Sequence, residues 1–125
     1  MCVYRAFNES VFRHVPLDVL RLLDVGCGSG AFGKEVKARY PDCVVVGITT
    51  SETEAAIAGT VLDKVIVHDL NSFSPEQLGE FDCVVMSHVL EHLVEPDKVL
   101  KRFHATLGPD ALLIIALPNT LYWKQ

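Results

Sequence analysis

The sequence predicts an α/β fold of three layers, with a mainly parallel sheet between two layers of helix. Three observations predict it. Apolar runs of strand length recur at 21–25 (RLLDV), 43–49 (CVVVGIT), 64–68 (KVIVH), 81–86 (FDCVVM) and 111–117 (ALLIIAL). They are continuous rather than alternating, which is how strands buried on both faces are written. Segments of helical period lie between them, the layout of βαβ units joined by right-handed crossovers.

Each element has its own signal. The first strand, RLLDV, ends at a glycine cluster. Residues 31–40 follow as a helix, with Phe32, Val36 and Tyr40 at i, i+4 and i+8 on one face. Pro41-Asp42 stops it, and the β-branched second strand begins. Ser51-Glu52-Thr53-Glu54 fits a capping box, with Ser51 as N-cap and Glu54 reaching back, so a short helix starts there. Pro96 suits the first turn of a later helix, whose inner face is striped by Val99, Phe103 and Leu107. Gly108-Pro109-Asp110 reads as the turn into the fifth strand. Residues 8–14 are expected to form a short leading helix.

Composition narrows the function. The 125 residues supply one hydrophobic core, hence a single domain over 1–125. Half of them are hydrophobic and 22% charged, a globular rather than a disordered balance. The longest apolar run is too short to cross a bilayer. The N-terminus, MCVYRAFNES, has no apolar core followed by a small-residue cleavage site. A soluble, cytoplasmic protein with no membrane partner is therefore expected. A net charge of −5 and scattered lysines and arginines argue against a generic grip on nucleic acid. Cys2, Cys27, Cys43 and Cys83 form no CxxC pair and have no histidine at zinc-finger spacing. They read as reduced thiols, with Cys27 filling a tight loop.

In parallel sheets, ligands bind beyond the carboxyl ends of the strands, where strand order reverses. After the first strand comes Asp24-Val25-Gly26-Cys27-Gly28-Ser29-Gly30. Glycines here permit a tight turn and let a ligand lie against backbone at a helix N-terminus. Gly28-Ser29-Gly30-Ala31-Phe32-Gly33 also matches the GxGxxG of dinucleotide enzymes, so the glycines alone leave two cofactors open. Asp24 discriminates. A carboxylate repels a pyrophosphate and attracts a ligand carrying an ammonium and a sulfonium.

LLDVGCGSG resembles the first motif of class I S-adenosylmethionine-dependent methyltransferases. FDCVVMSHVLEHLVEPDKVLKRFHATLGPDALLIIALPN is similar to the later core of their small-molecule branch, which includes the ubiquinone-biosynthesis-type enzymes. The resemblance covers residues 8–119. It implies a Rossmann-like sheet of five strands in the order 3-2-1-4-5, lacking the family's last two strands. It also implies S-adenosyl-L-methionine as cofactor and a small molecule as methyl acceptor. Asp24, Gly26, Cys27, Gly28 and Gly30 would then hold the methionine part. Asp69 would receive the adenine amino group, with Leu70 on the ring; the plainer alternative is that Asp69 caps the turn at Asn71-Ser72. Ser87 and His88 would line the pocket near the methyl group. His88 and His92 are the candidates for taking a proton from an acceptor hydroxyl, and Glu91 with His92 is expected to fix the loop.

Two features depart from the family pattern. Its second strand usually ends in Asp or Glu, which accepts from both ribose hydroxyls, and here Thr49-Thr50 stand there. The cyclopropane-fatty-acid-synthase-like group resembles this arrangement. Thr49 or Thr50 is expected to give one weaker ribose contact, helped by Glu52. The family's further helices and strands after strand five are also missing, since the sequence stops at Gln125. That leaves 111–117 as an exposed apolar edge, which proteins avoid. A C-terminally incomplete chain, a homodimer or a partner covering the edge is expected. His88, Glu91 and His92 have the spacing H-x-x-E-H but no third ligand, so no metal is assigned. Three functions compete: a methyltransferase, a cofactor-binding module without activity, and a nucleotide-binding oxidoreductase, which Asp24 and the LEH segment do not suit.

Overall fold

The computed structural model of the chain describes residues 2–4, 11–87 and 89–116. Six described strands form one sheet: β1 (Cys2–Tyr4), β2 (Arg21–Val25), β3 (Val44–Thr49), β4 (Lys64–Val67), β5 (Phe81–Ser87) and β6 (Leu107–Ala116). Every pairing among them is parallel, in the order β1-β6-β5-β2-β3-β4. Counted from β2, the five strands read from sequence stand in the expected order 3-2-1-4-5.

The helices α1 (Ala31–Arg39), α2 (Glu52–Ala58) and α3 (Pro96–His104) provide the crossovers, with single 3-10 turns at Pro75–Leu78 and Leu90–His92. Successive strand residues point to opposite faces, and the core divides accordingly. Leu22, Val45, Cys83 and Val85 share one face with Phe32 and Val36 of α1 and with Val11 and Phe12. Leu23, Val46, Val84 and Met86 share the other with Val99 and Phe103 of α3. Of the expected leading helix, Val11 and Phe12 are helical, Arg13 and His14 form a turn, and residues 8–10 lie outside the described set.

Three expectations need correction. Leu107 does not continue the stripe of α3; it opens β6, opposite Phe81. Gly108-Pro109-Asp110 is not a separate turn but an irregular stretch within β6. Between the pairs Phe81↔Leu107 and Cys83↔Leu112 the register shifts, and Asp110 takes a φ of 62°. Pro109 has no N–H to give a ladder, so the extra residues bulge out. Finally, the edge of β6 is not bare. Cys2, Val3 and Tyr4 pair with Ile114, Ile115 and Ala116. Leu117 and the Pro118-Asn119 pair lie outside the described residues.

Candidate cofactor site

The site begins with the loop between β2 and α1. The carbonyl of Ile48, on the neighbouring β3, accepts from the N–H groups of both Gly26 (2.8 Å) and Cys27 (2.9 Å). That pair of hydrogen bonds to one carbonyl pulls the loop back over the sheet. Gly26 takes a φ of 81°, and a Cβ placed there would lie 2.5 Å from Val89 Cγ2. Only glycine satisfies both the left-handed backbone and the close approach of the loop after β5. Gly30, at φ 90°, caps α1.

Beneath this loop lies Asp24, 3% exposed. Among the described residues no hydrogen bond or ion pair reaches its carboxylate. Burial alone pushes its carboxyl up to about 7 from an ordinary 3.8, because the charged form loses water and gains nothing in exchange. Cys27 is pushed up to about 12, chiefly by burial and then by Asp24, which disfavours the thiolate.

Two cavities flank the loop and share Gly26 and Ser87 on their walls. The smaller, 260 Å³, takes in Asp24, Cys27, Ser29 and Phe32. The larger, 530 Å³, runs from Gly28 past Thr49, Thr50 and Glu54 to Asp69, Leu70 and Asn71, with His92 and Leu93 opposite. Together they lie across the carboxyl ends of β2, β3, β4 and β5, with the reversal of strand order between β2 and β5.

The structure therefore brings together Asp24, Gly26, Cys27, Gly28, Thr49, Thr50, Asp69, Leu70, Ser87 and His92. Gly30 is buried at the loop's end and lines neither cavity. His88 lies outside the described residues. Asp69 is fully exposed, and its carboxyl is held below the usual range by hydrogen bonds from the Asn71 N–H and side-chain amide. Both donate to Oδ1 at 3.0 Å. The turn reading of Asp69 thus holds for one oxygen, and the residue still lines the cavity.

The acid that lines the larger cavity beside Thr49 is Glu54, and Glu52 does not reach it. Ser51 Oγ accepts from the Glu54 N–H at 3.1 Å, as the capping box requires. The reciprocal bond is absent among the described residues, because the Ser51 N–H donates instead to Thr49 Oγ1 at 3.2 Å. The Glu54 carboxylate is thereby released toward the cavity, where its Oε1 accepts from Thr49 Oγ1 at 3.3 Å. Glu52 is exposed and lines neither cavity. Asn71 was also not legible as a site residue. Its Oδ1 accepts from the N–H of Val94 at 2.9 Å, across 23 positions of sequence.

A parallel sheet with a glycine loop at its switch point, an acid under that loop and a cavity spanning four strand ends define a nucleotide-cofactor domain of the Rossmann-like class. The model of the methyltransferase domain family matches residues 6–125, and the chain belongs to that family. It is 32% identical over 137 residues to a ubiquinone biosynthesis O-methyltransferase of Agrobacterium fabrum, covering 94% of this chain and 54% of that protein. It is 31% identical over 110 residues to a trans-aconitate 2-methyltransferase of Methylobacterium radiotolerans, covering 86% of this chain and 42% of that one. The chain thus spans about half the length of these curated relatives. Among solved structures, the fold matches the plantazolicin methyltransferase BpumL in complex with a triazolic desmethylPZN analog and SAH (TM-score 0.71, 20% identity, 86% of this chain and 41% of that one). It also matches the StiE O-methyltransferase domain (TM-score 0.74, 20% identity, 86% and 41%).

Proposed function

We propose that the chain binds S-adenosylmethionine and transfers its methyl group to a small-molecule acceptor. The observation that carries this reading is the buried, uncompensated carboxylate of Asp24 under the glycine loop. A cationic ligand offsets the cost of that charge, whereas a pyrophosphate adds to it. The residues suit the cofactor along its length. Asp24 and the loop take the methionine end, Thr49 and Glu54 accept from the ribose hydroxyls, and Asp69 accepts from the adenine amino group beside Leu70.

When bound, S-adenosylmethionine supplies an electrophilic methyl group on a sulfonium with a neutral leaving group. The protein's work is then to hold the acceptor in line and exclude water. Ser87 and Gly26 line both cavities, so the walls there are the proposed place of transfer. His92, on the wall of the larger cavity, is the described group proposed to accept a proton from an acceptor hydroxyl. A small acceptor is favoured by the relatives named for trans-aconitate and for ubiquinone biosynthesis.

The test is transfer of an isotopically labelled methyl group to a panel of small carboxylic acids and phenols. Label recovered in one acceptor class, and abolished by Asp24→Asn, supports the reading. Cofactor binding with no labelled product from any acceptor would reduce the function to binding.

A further inference from the structure

One side chain ties the adenine end of the larger cavity to the turn that follows β5. Asn71 is half-buried on the loop after β4. Its N–H and Nδ2 both donate to Asp69 Oδ1 at 3.0 Å. Its Oδ1 accepts from the N–H of Val94 at 2.9 Å, and its carbonyl accepts from Arg102 Nη1 of α3 at 3.0 Å. The turn itself is held by local backbone bonds, His92 N–H to the Val89 carbonyl and Leu93 N–H to the Leu90 carbonyl. Val94 is 81% exposed, so it adds no packing that would anchor the turn. The same short segment carries His92 and Leu93 to the cavity wall.

Resting on the cofactor reading above, we propose that Asn71 is a positioning residue through which occupancy of the adenine end orders the turn after β5. Asp69 is exposed, and Asn71 uses only its Oδ1. An adenine amino group on the other oxygen fixes the carboxylate, the fixed carboxylate fixes the Asn71 side chain, and that side chain holds Val94. Ordering spent on the first ligand need not be spent again on the acceptor, which is cooperativity without a change of fold. The coupling is reciprocal, so a held turn also favours the adenine.

Amide hydrogen exchange at residues 89–94 tests it in the full chain, with adenosine, S-adenosylhomocysteine and free methionine as separate probes. Adenosine and S-adenosylhomocysteine slow exchange at Val94 on the order of five- to tenfold, the equivalent of about one hydrogen bond; methionine does not. Asn71→Ala removes the ligand-induced slowing and weakens S-adenosylhomocysteine by a similar factor. Asn71→Asp keeps an acceptor for Val94 but loses the amide donor to Asp69. It therefore keeps the ligand-free protection and loses the response to adenosine, which a merely structural role of Asn71 would leave in place. The proposal is overturned if wild type binds adenosine with Val94 exchange unchanged, if methionine alone slows it equally, or if Asn71→Ala responds like wild type. The wild-type arm decides even if a variant misfolds. Failure of wild type to bind either S-adenosylhomocysteine or adenosine would instead overturn the cofactor reading, and this coupling with it.

Discussion

Replacing Asp24 by Asn should make the ligand-free protein more stable at pH 8 while weakening its grip on the cofactor. The native carboxyl titrates at about 7, against 3.8 for an ordinary one. Between those values the unfolded chain has released a proton that the native state still holds, so stability falls as pH rises through the window. It is flat below 3.8 and again above about 7. At about 1.4 kcal/mol per pH unit, the gap corresponds to a cost on the order of 4 kcal/mol at pH 8. An amide carries no charge but leaves buried donors unsatisfied, which costs about 1–3 kcal/mol. The net expectation at pH 8 is a gain of about 1–3 kcal/mol for Asp24→Asn. At pH 5 only about 1.5–2 kcal/mol of that cost remains, the amide's own cost offsets it, and the gain disappears. Urea melts of both proteins at pH 5 and pH 8 read this directly. A cationic ligand prefers the ionised carboxylate, so wild-type affinity should weaken about tenfold at one pH unit below the midpoint. Wild-type stability that does not fall between pH 5 and pH 8, or an Asn variant equally destabilised at both, would refute an uncompensated charge at Asp24.

The other expectations concern the rest of the cavity. Glu54→Gln should weaken S-adenosylhomocysteine by about 1–2 kcal/mol in calorimetric titration, as expected for losing a charged hydrogen-bond acceptor; Glu52→Gln should leave it unchanged. Asp69→Asn should reduce affinity for S-adenosylhomocysteine and for adenosine by similar factors, about tenfold each, and leave the pH dependence set by Asp24 intact. Gly26→Ala places a methyl group against Val89 at φ 81°. It should lower the urea midpoint by the equivalent of about 1–3 kcal/mol and abolish binding.

The sheet was legible because its strands are continuous apolar runs, and RLLDV, CVVVGIT and FDCVVM each occupy the place their pattern implies. The glycine loop and Asp24 were legible because their spacing is local. What escaped depends on contacts between distant segments or on competition for one donor. Glu54 reads as the returning half of a capping box, and only the capture of the Ser51 N–H by Thr49 Oγ1 frees it for the cavity. Asn71 reads as a turn residue, since nothing near it in sequence announces Val94 as its partner. Cys2–Tyr4 is too short to carry a strand pattern and is recognisable only by its pairing with β6. The irregular stretch at Gly108-Pro109-Asp110 has the composition of a turn, yet the ladder resumes at Leu112 without leaving the strand.

A calorimetric titration of the wild-type chain with S-adenosylmethionine at pH 8, repeated in the presence of excess NAD, tests the central claim most directly. A charge-selective pocket over Asp24 predicts saturable binding of S-adenosylmethionine that NAD leaves unchanged. Binding of NAD that displaces it, or no binding of S-adenosylmethionine at all, would contradict the account.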